Sequence, residues 1–532
     1  MHNMLDSFDH VVVVMLENRS FDNLLGYVYP NGVPDGAPLG KTFNGVTGKN
    51  LSNPVPKNAT HQPPQGDTVT VSPTCDYHQP YPDPGETYPH VNTQLFNIVN
   101  GENDSPYNLP EDPVPSEPAC MQGFVTDYIE NYKVNEEHKV PTFEEYAQIM
   151  QSFEPTCVPV LATLAEEFAV FDHWYCAVPS QTWCNRAFWN AGTSWGHVVN
   201  GGNFSDKVEI ENTYGWIKDS IGTTIFNQIE ESGPDSPITW NIYTDNIIPL
   251  TGVIHFRALK DFMLSPADHF HSFKKFLEDC ANGDLPSYSF VEPRFFNPHN
   301  DMHPSSVKGL EDGTQAIGSV LLGEKFVLDI YNAIKNSDNK KGSNWQNTLL
   351  VITFDEHGGC FDHVSPPSGA TPPDLDGYKL WMDFKYDRLG VRVPMIMVSA
   401  HIAKNTVVNT SLHHNSFMAT MQSKWEKSVP GKFPPLTARV ETAPHFHEVF
   451  TAPEPRPPSQ WPDICEPVIP PEHKGTDFTN HPLNDLQRSI AGGAKALRDP
   501  SADPAQISDV KTVGEAVDLM QDIREMMGKG KI

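Results

Sequence analysis

Two stretches of this chain are apolar at every position and then stop abruptly on charged groups. His10-Val-Val-Val-Val-Met-Leu16 runs into Glu17-Asn18-Arg19-Ser20-Phe21-Asp22, and Thr348-Leu-Leu-Val-Ile-Thr-Phe354 runs into Asp355-Glu356-His357-Gly358-Gly359. Apolar runs of strand length without alternation predict strands buried on both faces, as in a parallel sheet. Further strands are predicted at 168–172, at 236–244, in a segment ending Ser289-Phe-Val-Glu-Pro293, and at 391–399 with Pro394 near its entry. Helical patterns cover 141–170, a segment starting between Asn185 and Asn190, 266–282, 315–336, 411–426 and 505–529. Strands alternating with helices predict an α/β fold, a mainly parallel sheet sandwiched by helices. Residues 28–120 are rich in Pro, Gly, Asn and Thr and predict a long loop-rich insertion after the first strand; 452–472 are Pro-rich and predict an extended arm.

The polar ends of the two apolar runs suggest chemistry. In open α/β sheets, ligands bind beyond the carboxyl ends of the strands. Adjacent acids there repel one another unless a positive charge lies between them, and a divalent cation is the usual solution. Glu17, Asn18, Asp355 and Glu356 are therefore expected to converge on one ion. Either pair alone is equally well read as a helix cap or a solvated loop; the match between two distant strands favours convergence. All these donors are oxygens, which points to Mg²⁺, Ca²⁺ or Mn²⁺ rather than zinc. Between them lies Val178-Pro-Ser-Gln-Thr182-Trp-Cys-Asn185-Arg186. A hydroxyl at a helix N-terminus sits among free backbone N–H groups, a setting that suits phosphate. Thr182 is thus a candidate nucleophile, with Asn185 and Arg186 as donors to an anion. Thr182 as a plain N-cap is the competing reading, and Ser180 and Cys184 are rival nucleophiles. Among 22 histidines, His303 stands out beside Asp301 in Asn300-Asp-Met-His-Pro304, together with His363 after Asp362 and His414 at the start of a predicted helix. His303 is a candidate acid for a leaving alcohol.

Composition narrows the partners. With 532 residues and a net charge of −30, the chain can bury a large core but lacks the basic face that nucleic acid requires. Electrostatic docking on anionic lipid is disfavoured on the same ground. No segment has the length of a transmembrane helix, and no basic n-region precedes the first apolar run, so the expectation is a cytoplasmic protein or one exported by a leaderless or processed route. Eight cysteines do not make a disulfide scaffold; Cys75 and Cys120 flank a Pro-rich region and are the one candidate pair, free thiols being the preferred reading.

The motifs ENRSFD, TWCNR with downstream AGTS, NDMHP and TFDEHGGCFDHVSPP, in this order, resemble the phosphoesterase family of bacterial phospholipases C, plant non-specific phospholipases C and a related acid phosphatase, within the alkaline phosphatase-like superfamily. MQGFVTDY at 121–128 and RVPMIMVS at 392–399 fit as well, and the likeness spans 9 to about 425. The resemblance implies an alkaline phosphatase-like domain over 1–450, with 451–532 as an arm and terminal helix. It implies one metal held by Glu17, Asn18, Thr182, Asp355 and Glu356, with Thr182 as nucleophile and Asn185 and Arg186 on phosphate oxygens. His303 and Asp301 would stand near the leaving group, with His363 and His414 lining or bracing the site. The implied reaction is phospholipase C-type hydrolysis through a phospho-threonine, with a soluble phosphate monoester as the alternative substrate. This chain departs from the family's pattern at Cys184, Met302 and Glu86, the last where a histidine is usual, with His90 nearby. A sulfatase-like hydrolase lacks its nucleophile context here. A non-catalytic binding protein is disfavoured by the cost of burying these acids without a cation.

Overall fold

The computed structural model describes residues 4–98, 118–135, 139–200, 216, 220–264, 268–296, 298–304, 319–469, 479–498 and 510–528. Eight strands form the central sheet: β1 (His10–Leu16), β2 (Ala169–Phe171), β3 (Trp240–Thr244), β4 (Phe270–Ser272), β5 (Tyr288–Glu292), β6 (Thr348–Phe354), β7 (Met395–Val398) and β8 (Thr406–Val408). Their order is β8-β2-β7-β6-β1-β5-β3-β4. Every pairing is parallel except those of β7, which runs antiparallel to both β6 and β2. The mainly parallel sheet expected from the apolar runs is therefore observed. β1 and β6 are its centre, and their side chains are buried apart from part of His10, as strands covered on both faces must be. Their register aligns Met15 with Thr353 and Leu16 with Phe354, so both carboxyl ends stop at one level.

Helices cover the sheet in two groups. α1 (Pro159–Glu167) packs on α3 (Ser319–Lys335), where buried Glu324 accepts the N–H groups of Val160 and Leu161 at the start of α1. α2 (Thr182–Ala191) packs on α4 (His414–Ser428), with the Trp189 and Phe417 rings stacked at 4.5 Å. Tertiary context broke some sequence periods. The predicted helix over 141–170 is interrupted by a strand, Gln151–Phe153, which pairs with Ser72–Thr74 of the insertion. The predicted helix over 266–282 begins only at Phe273, because Phe270–Ser272 is captured as edge strand β4 next to β3. The start of the 315–336 helix and parts of 28–120, 452–472 and 505–529 lie outside the described residues.

The insertion has a small core of its own: Val55, Val69, Val91, Leu95, Phe124 and Tyr128 cluster, with Phe361 supplied by the main body. A disulfide joins Cys75 to Cys157. This corrects the Cys75–Cys120 pairing and the free-thiol reading of Cys75: the Ser72–Thr74/Gln151–Phe153 ladder delivers Cys75 to the 157 loop, and Cys120 is an exposed free thiol. Beyond 451, Arg456 donates to the carbonyls of Glu167 and Ile402, and Trp461 packs on Phe168 and Tyr331. Among the described residues two helices follow, α5 (Asp485–Arg498), which the sequence pattern did not reveal, and α6 (Val513–Gly528), packed on each other. No helix among the described residues is long and apolar enough to cross a membrane.

Candidate active site

The level exits of β1 and β6 bring the predicted acids together. Asn18 N–H donates to Asp355 Oδ1 at 3.2 Å, and Asp355 N–H donates to the Leu16 carbonyl at 3.1 Å. Asn18 adopts a left-handed backbone (φ 54°), turning its side chain back over the strand ends. The diglycine makes this possible: a Cβ on Gly358 would lie 2.0 Å from the Asn18 carbonyl, and one on Gly359 would meet Pro84 and Gly85. Both glycines also have positive φ, so a side chain there would be strained as well as crowded.

Thr182 is the first residue of α2, with Gln181 rather than Thr182 as its cap. Its hydroxyl donates to Glu17 Oε2 at 3.1 Å. One turn on, Arg186 binds Glu17 Oε1, donates to the Met15 carbonyl at 3.0 Å and lies 3.6 Å from Asp355 Oδ2. All these groups are fully buried. Arg186 Nε and Nη1 have no hydrogen-bond partner, and neither do Asn18 Oδ1, Asp355 Oδ2 and Glu356 Oε1. Orphaned buried oxygens on three converging side chains are the donor set of a hard cation, so a divalent metal fits these residues. Burial, the largest influence, raises the pKa of Glu17 well above the usual carboxylate range against the pull of Arg186. Burial and then Asp355 do the same for Glu356.

The other expected residues separate into three groups. His303 is fully buried, its Nδ1 2.9 Å from the Pro304 carbonyl and its Nε2 3.6 Å from Glu86 Oε1. Asp301 accepts the His303 N–H at 3.0 Å and pairs with His299 at 2.7 Å, while its carbonyl accepts the N–H of Glu17. His414 reaches the cluster from α4: Nδ1 accepts the Trp174 indole N–H at 3.2 Å, which leaves Nε2–H to donate to the Asp355 carbonyl at 2.6 Å. Asn185 and His363 are placed otherwise than expected. The Asn185 amide is consumed by the turn before α2, donating to the Ser180 carbonyl at 2.7 Å and accepting from Val178 N–H, because that turn leaves its backbone groups unpaired. His363 pairs with Asp22 at 2.6 Å in a separate network with Asp362 and Arg392.

The insertion contributes acids outside the expected set. Glu86 Oε1 accepts from Asn18 Nδ2 at 2.5 Å, and Asp83 lies 3.7 Å from His303. Burial pushes the pKa of Asp83 up to about 8 and raises that of Glu86 well above its usual value. The signal in the sequence was Asp83-Pro-Gly-Glu86 inside a segment without periodicity. Tyr77 stacks on Phe153 and Tyr88 is 3% exposed against Phe384, so both rings pack the insertion rather than open a surface for acyl chains.

The sequence profile of the Phosphoesterase family matches residues 8–428. The chain belongs to this family. As a phosphoesterase it is a hydrolase acting on phosphoric ester bonds. It is similar to "Non-specific phospholipase C6" of Arabidopsis thaliana (34% identical, covering 85% of this chain and 73% of that protein). "Non-specific phospholipase C3" of the same organism is 30% identical over 92% of this phosphoesterase and 82% of the relative. "Phospholipase C B" of Mycobacterium tuberculosis is 22% identical, covering 80% and 75%. Among solved structures, a protein in the alkaline phosphatase superfamily from Vibrio parahaemolyticus is 16% identical with a TM-score of 0.30; the match covers 55% of this chain and 65% of that one, slightly under two thirds of its length.

Proposed function

We propose that this phosphoesterase acts as a phospholipase C, with Thr182 as nucleophile and one divalent cation held by Glu17, Asn18, Thr182, Asp355 and Glu356. The observation that carries the reading is the Thr182 hydroxyl on Glu17, at the start of α2, beside an arginine with unpaired donors and three orphaned oxygens. The relatives named phospholipase C support the substrate class. When bound, the cation would lower the pKa of the Thr182 hydroxyl and offset phosphate charge.

Arg186 is clamped by Glu17 and the Met15 carbonyl, so its remaining N–H donors are preset for two phosphate oxygens. Thr182 Oγ attacks phosphorus, the phosphorus–oxygen bond to the glycerol breaks, and the threonine proton passes to Glu17. The departing oxygen takes a proton from the pair formed by His303 Nε2 and Glu86 Oε1. Burial is the main cause that raises the pKa of Glu86 and lowers that of His303, so both keep that proton on the carboxyl side. Diacylglycerol leaves with this proton. Water then gives a proton to the His303–Glu86 pair and attacks phosphorus, the bond from phosphorus to Thr182 Oγ breaks, and Glu17 returns its proton to that oxygen, releasing the phospho-headgroup. His414 acts on Asp355 through its carbonyl, and Asn185 holds the turn that presents Thr182.

The test compares turnover of phosphatidylcholine with that of a small aryl phosphate, and seeks phosphate on the Thr182 peptide by mass spectrometry after acid quenching. Turnover of the phospholipid with a labelled Thr182 supports the proposal. Turnover of the aryl phosphate alone would make the chain a phosphomonoesterase, and a label elsewhere would remove Thr182 as nucleophile.

A further inference from the structure

Gln94 lies on the insertion helix Tyr88–Phe96, is 1% exposed and meets three separate elements through one amide. Its Nε2 is 2.7 Å from the Gly85 carbonyl and 2.7 Å from Asp127 Oδ2. Two acceptors at one end require that end to be the NH₂ group, since the flipped amide would set oxygen against two oxygens. The opposite end is therefore an acceptor, and it lies 2.7 Å from His357 Nε2. That fixes the His357 proton on Nε2 and leaves Nδ1, which has no hydrogen-bond partner, 3.2 Å from Glu356 Oε2, a steric contact only. The imidazole, 1% exposed and set edge-to-face against Phe124, blocks one direction in which the Glu356 carboxylate could swing. Gly358 N–H holds the same oxygen at 2.8 Å.

The second branch leads to Asn18. The Gly85 carbonyl, held by Gln94, belongs to the turn that delivers Glu86, and Glu86 takes the Asn18 amide. Asn18 is thereby oriented with Nδ2 on Glu86 and Oδ1 left without a hydrogen-bond partner. Asp127, which anchors Gln94, is itself braced by His90 at 2.7 Å.

We propose that Gln94 is a positioning residue for the metal-binding acids: one side chain sets the His357–Glu356 contact on one side and the Glu86–Asn18 contact on the other. This rests on the reading that the acid cluster holds a cation. Groups behind metal ligands that fix their orientation typically change metal affinity by about 10–100-fold when removed. A glutamine that only anchored its helix would change stability and leave affinity alone.

The experiment titrates Mn²⁺ into the purified, metal-stripped full chain by calorimetry, with thermal melting of the stripped protein alongside. Gln94→Met should weaken Mn²⁺ binding by about 10–100-fold and lower kcat with little change in KM. The swapped pair Gln94→Glu/Asp127→Asn restores the bond to residue 127 and keeps an acceptor for His357 but leaves the Gly85 carbonyl without its donor, so it should recover only part of the lost affinity. Wild-type Mn²⁺ affinity in Gln94→Met overturns the proposal even if its melting temperature falls. Should Gln94→Met not fold, the swapped pair decides: folded protein with affinity reduced about 10-fold supports the role through the Gly85 branch, and wild-type affinity with that carbonyl unpaired ends it. A wild-type chain that binds no cation would instead refute the functional reading beneath it.

Discussion

Two buried clusters of acid and arginine stand beside the exits of β1 and β6, and they are completed differently. In the first, Arg392 binds Asp22 and Asp362 at 2.9 Å each, His363 binds Asp22, and the remaining Asp362 oxygen takes the Asp22 N–H. Every carboxylate oxygen there has a partner. Although burial works against its charge, Arg392 and His363 hold Asp22 below the usual carboxylate range. In the second, Glu17 and Asp355 share one arginine, and Asn18, Asp355 and Glu356 each keep an orphaned oxygen. Both clusters are polar, buried and close in sequence to the same motifs. Completion distinguishes them: a closed network holds the chain, and an open one is set to receive something.

The sharpest way to break this comparison is to remove the proposed nucleophile from the open cluster. Thr182→Val should lower kcat on a phospholipid by about 10⁴-fold or more with little change in melting temperature, since its methyl fills the hydroxyl's place. Asp355→Asn should abolish stoichiometric metal in the purified protein, read by elemental analysis, and with it activity. In the closed cluster the order reverses. Arg392→Met leaves two buried carboxylates without their shared cation and should cost about 3–5 kcal/mol in denaturant unfolding, while the molecules still folded keep their metal. His414→Phe removes the support of the Asp355 carbonyl and should reduce kcat by about 10–100-fold.

A pH series on metal-stripped protein sharpens the contrast with the smallest effect. An acid whose pKa is raised on folding keeps its proton in the native state after the unfolded chain has lost it, so stability falls as pH rises between the two values. For Asp83, with burial pushing its pKa to about 8 from an ordinary 3.8, that window runs from roughly pH 4 to 8. Glu17, Glu86 and Glu356 act in the same direction. Stripped protein should therefore melt at progressively lower temperature over this range, and added Mn²⁺ should flatten the slope. A melting temperature that rose with pH would show that these acids are ionised without a cation.

The central strands and the meeting of residues 17–18 with 355–356 were legible because each depends on local pattern: an apolar run sets a buried strand, and the polar residue after it must lie at the sheet's edge. Thr182, Arg186 and His303 were found through their neighbours in short motifs. Asp83 and Gln94 were not, and Glu86 stood out only as a departure from a family motif, because their placement depends on contacts across the fold, such as Gly359 against Pro84 and Gly85. Asn185 and His363 misled for the converse reason. Their motifs name the residue types, but whether an amide faces a ligand or its own turn is settled by backbone groups that sequence spacing does not locate.

The Cys75–Cys157 bond spans 82 residues and fastens the insertion to the main body in the segment that leads to Asp83 and Glu86. On chain-entropy grounds a closed loop of that length disfavours the denatured ensemble by about 4–5 kcal/mol. An insertion whose own core is small is thus held in place by a covalent tether as well. The geometry around Glu86 becomes a property of the oxidised protein, and reducing conditions would loosen the insertion before they touched the strand ends that carry Glu17 and Asp355.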